Sequence, residues 1–277
     1  MPIPLPNQHD PEWGDKMNKL WKDKDWLYQK YVVEKLNQTE MAKLVGVASS
    51  TIRKHLIKND IPIRSLSETL FLCRKNPPIT ISDEMMEFIQ GNVLGDGGIF
   101  SVSDKKNIQR TASYSHSSKY LDIVLYIKSV FEKNNIETMG KINRFVHKKS
   151  GAVYYQYWTK HYVELLDIRK YMYKNGKKII PRDLELTPTI VLHWYIGDGS
   201  LSKCSHNKKY VRICSEGFPI EDVEFVVEKF CKMGLTCTRQ PSCNTIRFAT
   251  NKTGDFLDFV GPCPSEIEHI YGYKFDY

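Results

Sequence analysis

The sequence lacks any uninterrupted apolar run near the ~18–20 residues that a membrane-crossing helix needs, so a spanning segment and a membrane partner are not expected. It also lacks a paired cysteine framework. Its seven cysteines are an odd number, and six of them fall after residue 200. Such a set reads as reduced thiols rather than a disulfide scaffold. Cys231, Cys237 and Cys243 are evenly spaced, but no close Cys-Cys pair or suitable His pair accompanies them, so a zinc site is not expected. The opening Met1-Pro-Ile-Pro-Leu-Pro lacks the basic-then-apolar layout of a secretory signal. The expected location is therefore intracellular: cytoplasm, nucleoid or organellar matrix.

What is present is an ordinary globular composition, with 41% hydrophobic and 26% charged residues over 277 positions. That length suggests two or three compact units. Lys and Arg number 40 against 32 Asp and Glu, a formal +8 that permits a nucleic-acid partner without establishing one. The excess is uneven. Residues 1–75 hold 13 basic and 9 acidic groups, residues 76–181 hold 16 and 10, and residues 182–277 hold 11 and 13. A polyanion would lean on the first two-thirds of the chain.

An internal repeat organises the rest. One copy starts with the helix-like Ser82-Asp-Glu-Met-Met-Glu-Phe-Ile-Gln-Gly-Asn-Val-Leu-Gly-Asp-Gly97, where Ser caps and two acids fill the first turn. The other starts with Thr187-Pro-Thr-Ile-Val-Leu-His-Trp-Tyr-Ile-Gly-Asp-Gly199, where Thr caps and Pro takes the first helical position. β-prone stretches follow at about 98–103 and 109–116, then 200–205 and 209–215. Amphipathic helices are expected from Tyr120 to Lys133 and from Ile220 to Lys232. Further strand pairs fall near 138–147 with 152–159, and 235–240 with 244–249. A last helix holds Leu165-Leu166-Asp167 in one copy and Phe256-Leu257-Asp258 in the other. Each copy reads αββαββα.

Upstream, Asn37-Gln-Thr-Glu40 has the layout of a capping box, Gly46 breaks that helix, and Ser49 opens another. This is the pattern of a helix-turn-helix, with Ser49, Ser50, Thr51, Arg53 and Lys54 facing DNA and Ile52 and Leu56 facing the core. A helical hairpin that only packs is the alternative. Cys73-Arg-Lys-Asn-Pro-Pro78 reads as a linker. The expected divisions are residues 1–75, 76–181 and 182–277.

A single Gly-Asp-Gly is common turn chemistry, but two copies that each close an apolar helix carry more meaning. Gly91 and Gly95 lie on one helix face, and Gly197 is the counterpart of Gly95. Without side chains there, two helices can touch and bring Asp96 and Asp198 together. Neighbouring carboxylates raise each other's pKa unless a cation intervenes. Mg²⁺, a hard ion that prefers oxygen ligands and keeps activatable waters, suits the pair.

Ile89-Gln-Gly-Asn-Val-Leu-Gly-Asp-Gly97 and Val191-Leu-His-Trp-Tyr-Ile-Gly-Asp-Gly199 resemble the two motifs of the LAGLIDADG homing endonucleases, and the repeat order is similar to theirs across about residues 80–277. The resemblance implies an α+β fold. Two pseudo-symmetric αββαββα repeats would form a saddle of two four-stranded antiparallel sheets in the DNA major groove, preceded by the all-α helix-turn-helix unit. It implies a monomer that cuts both strands of a long double-stranded DNA target and leaves short 3′ overhangs. It makes Asp96 and Asp198 metal ligands, with the carbonyls of Gly95 and Gly197 as secondary candidates. Two or three Mg²⁺ ions are implied, with Mn²⁺ able to substitute. His193 and Trp194 depart from the small residues usual in the motif, and Gly91 should then face His193.

Tyr271-Gly-Tyr-Lys-Phe275 resembles the family's tail that delivers a central lysine, which makes Lys274 a catalytic candidate. Gly176-Lys177-Lys178 occupies the corresponding place in repeat one, so Lys177 or Lys178 would be its counterpart. His116 ends the expected second strand; it is either a water-holding residue or a plain strand residue. Base readout should come from one face of each strand. The candidates are Lys105, Gln109, Arg110, Arg144, His147, Lys148, Gln156, Lys203, Arg212, Arg239 and Arg247. A one-residue slip in strand phase would send each to the opposite face. Two rival functions share the fold: a DNA-binding transcription regulator that does not cut, and a maturase that binds intron RNA. An intein is disfavoured because no Cys or Ser start and no terminal His-Asn pair is present.

Overall fold

The computed structural model describes residues 20–64, 78–103, 109–148, 151–204 and 208–277. These fall in two compact units, divided between Lys75 and Asn76. No helix among the described residues is long and apolar enough to cross a membrane.

The first unit is helical. Helix α1 (Lys24–Tyr28) continues into a π-helical stretch over Gln29–Val33. Helix α2 (Gln38–Val45) starts with a complete capping box. The Asn37 side chain accepts from the Thr39 and Glu40 amides at 2.9 Å each, and Glu40 accepts from the Asn37 amide at 2.7 Å. Gly46 ends α2 in the left-handed region (φ 68°), where an L side chain would be strained. Helix α3 (Ser49–Lys58) follows. Ile52 and Leu56 bury completely against Leu27, Tyr31, Met41 and Val45. Ala42 is buried too, as a close pass between α2 and α3 requires.

The second unit repeats one plan twice. Helix α4 (Asp83–Leu94) leads to β1 (Gly98–Ser103), β2 (Gln109–Ser118), α5 (Leu121–Lys133), β3 (Asn143–Val146), β4 (Val153–Trp158) and α6 (Val163–Met172). A short hairpin, β5 (Tyr173–Lys174) and β6 (Lys177–Lys178), joins the copies. Helix α7 (Pro188–Asp198) then leads to β7 (Gly199–Lys203), β8 (Lys209–Ile213), α8 (Ile220–Lys232), β9 (Cys237–Gln240), β10 (Thr245–Phe248) and α9 (Thr253–Val260). Helix α10 (Glu268–Tyr271) and a 3₁₀ turn (Gly272–Lys274) close the chain.

The sheets have matching antiparallel orders, β1-β2-β4-β3 and β7-β8-β10-β9. The predicted strand at 138–147 is shorter than expected, with one isolated bridge between Thr138 and Thr159 ahead of β3. One continuous core runs through both copies. Helix α7 is buried nearly all round, through Ile190, Val191, His193, Trp194, Tyr195 and Ile196, as befits a central helix.

Candidate metal and phosphate centre

Helices α4 and α7 start from the caps their sequences announce: Ser82 accepts from the Met85 amide and Thr187 from the Ile190 amide. They converge on their glycines. A Cβ at Gly91 would fall 2.5 Å from the Ile190 carbonyl oxygen and 2.9 Å from the Cβ of His193, so Gly91 does face His193. A Cβ at Gly95 would meet the Gly197 Cα at 3.4 Å, and one at Gly197 would meet the Asp96 amide nitrogen at 3.0 Å. The two acidic ends therefore meet with only backbone between them.

The aspartates sit differently. Helix α4 stops at Leu94, and Asp96 stands exposed beyond the Gly95 cap. Helix α7 runs through Asp198, which is half-buried. Burial, then the Asp96 charge, pushes the Asp198 carboxyl up to about 7, against the opposing pull of Lys178 and Lys274. Glu216 adds to the rise and lines the same open hollow as Asp198, Lys177 and Lys178.

Two lysines reach this place from different elements. In the β5–β6 turn, Asn175 and Gly176 both have positive φ (52° and 77°), the type I′ geometry that closes a two-residue hairpin. Tyr173 pairs with Lys178 and Lys174 with Lys177. The Tyr173 hydroxyl accepts from the Ile99 amide, so Lys178 shares the inward side while Lys177 is exposed. Lys178 Nζ donates to the Gly95 carbonyl at 2.7 Å. Lys274 is buried and donates to the Ile196 carbonyl at 2.6 Å, while its own carbonyl accepts from the Tyr195 hydroxyl at 2.6 Å. Burial lowers both ammonium groups, Lys274 to about 8, with Asp96 and Asp198 opposing.

His116 faces the core side of β2, paired with Tyr157, and its Nδ1 is buried without a partner. Desolvation takes it down to about 4, with Asp96 pulling the other way. His193 is likewise held neutral by burial, down to about 4, with its ring against Phe88 at 4.4 Å.

Among the described residues no group of three or more His, Cys, Asp or Glu is arranged to hold a metal. The donor set is two carboxylates with neighbouring backbone carbonyls. It is all oxygen and carries mutual repulsion that a cation would relieve, and it fits a hard divalent ion that keeps its own waters. The Gly95 carbonyl, one secondary ligand candidate, already accepts from Lys178.

The register corrects several proposed base readers. Arg239 pairs with Ile246 and turns toward α8, where it bonds Glu224 at 3.3 Å. Arg144 pairs with Tyr155, which packs on the core, and Lys203 shares its strand face with Leu201. In each case the alternation is one residue out of phase with the free face. Gln156, Arg212 and Arg247 lie on the faces turned away from the helices. Gln109, at the start of β2, is exposed, as are His147 and Lys148 beyond the end of β3. Lys105 and the Arg110 side chain lie outside the described residues. In the first unit, Ser49, Ser50, Arg53 and Lys54 are exposed and Thr51 is half-buried. Glu216 was missed by sequence reasoning; no motif marks it, and only the fold brings it beside Asp198.

Residues 86–256, more than half of the chain, match the model of the LAGLIDADG DNA endonuclease family, and the chain belongs to that family. An uncharacterized protein of Methanocaldococcus jannaschii is 27% identical over 205 residues, covering 73% of this chain and 76% of that protein. Among solved structures, the homing endonuclease I-WcaI bound to its DNA recognition sequence aligns with a TM-score of 0.62 at 22% identity. That alignment covers 79% of this chain and 97% of I-WcaI. A mesophilic variant of the homing endonuclease I-DmoI aligns at 12% identity over 64% of this chain and 94% of its own, with a TM-score of 0.43.

Proposed function

We propose that the protein is a monomeric, site-specific endonuclease that hydrolyses phosphodiester bonds in both strands of a long duplex target, depends on Mg²⁺ and leaves short 3′ overhangs. The observation that supports this most is the meeting of Asp96 and Asp198 across the Gly95–Gly197 contact, with Lys178 and Lys274 beside them. Asp96 and Asp198 would hold the divalent ions. Bound there, Mg²⁺ supplies Lewis acidity at the scissile phosphate and an acidified water. Mn²⁺, a similar oxygen-preferring ion, substitutes.

Lys178 and Lys274 offer fixed positive charge where the phosphorane develops negative charge, and their seats on backbone carbonyls keep the ammonium groups in place. Because each aspartate closes the first helix of a different repeat, each serves one strand. The first unit extends the contact as a helix-turn-helix, presenting Ser49, Ser50, Arg53 and Lys54 to the duplex.

The test is cleavage of a plasmid carrying the target site. Asp96→Asn and Asp198→Asn are expected to abolish cutting while binding in Ca²⁺ persists. Full cleavage by the double variant would overturn the metal assignment.

A further inference from the structure

The two sheet faces turned away from the helices differ in kind. On the first, Phe100 stands opposite Ser113, Trp158 opposite Ser115, and Phe145 opposite Tyr154. Phe100 is 50% exposed and its ring lies 5.1 Å from that of Trp158; Phe145 is 38% exposed and stacks on Tyr154 at 5.8 Å. The rings hide the polar floor: Ser113 and Ser115 are buried, and the Phe100 ring covers Gly98. Gln156 is held to Ser115. A base edge meeting the centre of this face finds these rings first, with Lys119 over Tyr154 at 6.0 Å and Gln109, Asn143 and His147 toward the strand ends. The base-edge feature in the major groove that complements the rings is the thymine 5-methyl group.

The second face carries paired cations. Arg212 and Arg247 stand directly opposite each other on neighbouring strands, an arrangement that repels until an acceptor lies over it. Arg247 stacks over Tyr210 at 4.1 Å, and Arg212 Nε is buried with no partner. Neither guanidinium forms an ion pair among the described residues. Planar guanidinium forks on a strand face match the O6 and N7 acceptors of guanine.

Resting on the endonuclease reading above, we propose that the target is divided in composition. The half bound by repeat one is read through thymine methyls by Phe100, Phe145, Tyr154 and Trp158. The half bound by repeat two is read through guanines by Arg212 and Arg247.

The test starts from randomised duplexes bound by the full chain in Ca²⁺, with the retained fraction sequenced. One half should be thymine-rich and the other should carry guanines at fixed positions. On the recovered duplex, replacing thymine by deoxyuridine in the first half should weaken binding about fourfold per contacted methyl. Replacing guanine by 7-deazaguanine in the second half should weaken it about tenfold per contacted base. Phe145→Ala should relax selection only in the first half, and Arg247→Gln only in the second. Halves of equal composition, or no loss with deoxyuridine, or no loss with 7-deazaguanine, would overturn the proposal while leaving the endonuclease reading intact. Failure to enrich any sequence overturns both.

Discussion

The two repeats share a backbone plan and differ in how each treats its acid. In repeat one the helix stops short, and Asp96 stands in solvent beyond Gly95. In repeat two the helix carries Asp198 to its last residue, partly buried and beside Glu216. The lysines differ as well: one comes from a two-residue hairpin between the copies, the other from the closing turn of the chain. The duplication thus conserved where charge is delivered, not what delivers it. The halves are chemically unequal although their folds superimpose in order.

The sharpest way to break that comparison is to remove one lysine at a time. Lys274→Met and Lys178→Met should each slow cutting by about 10²-fold, with a nicked intermediate accumulating on a different strand for each. Single-turnover assays with each strand labelled separately would show it; equal slowing of both strands by either variant would mean that the halves share both lysines.

A second contrast is titration without metal. The folded Asp198 carboxyl is raised to about 7 from 3.8, so between those values the folded chain holds a proton the unfolded chain lacks. Stability should therefore be greatest at the acid end of that window, fall as pH rises through it, and stay low above it. Asp198→Asn should recover on the order of 2–4 kcal/mol above pH 7, allowing for partial exposure, and flatten the profile. Asp96→Asn removes the second cause of the rise and should narrow the window without closing it, because burial of Asp198 remains. Thermal unfolding in chelator, scanned against pH, decides between them.

The glycines give a third contrast. Gly91→Ala forces a Cβ against the Ile190 carbonyl and should cost about 1–3 kcal/mol, whereas the room at Gly95 makes Gly95→Ala milder. Urea unfolding of the two variants would rank them, and an equal loss would mean that the helix pair is not closest at Gly91. The smallest effect belongs to the first unit. Arg53→Ala and Lys54→Ala should each lower the slope of log affinity against log salt by about one, without changing which bases are selected. A changed base preference would mean that α3 reads sequence.

Much of this was legible in the sequence because it is encoded locally. Asn37 with Glu40, Ser82, and Thr187 with Pro188 announce helix starts through hydrogen bonds spanning three residues. The duplicated Gly-Asp-Gly announced the helix contact because glycine lets the two backbones approach, most tightly at Gly197 of the pair Gly95 and Gly197. Strand phase was not legible. Arg239 and Arg247 look alike in sequence, yet one bonds a helix and the other lies over Tyr210 on the free face. Burial on both sides of the central strands blurs the alternation that would tell them apart; in β2, Ala112 through His116 are all buried. The choice between Lys177 and Lys178 was available in principle. Asn175-Gly176 is a two-residue turn signal, and counting outward from it sets Lys178 across from Tyr173. Glu216 was out of reach, since its place depends on a loop pinned by Asn244, which donates to the Ser215 and Phe218 carbonyls.

The backbone contact between Gly95 and Gly197 acts as a fixed ruler. With no side chain between the helices, the separation of Asp96 and Asp198 is set by main-chain geometry, and substitutions on the sheets do not stretch it. On the proposed reading, the faces that choose a sequence are free to drift under selection while the stagger between the two cuts stays constant. A lineage of such proteins would change its addresses readily and its manner of cutting hardly at all.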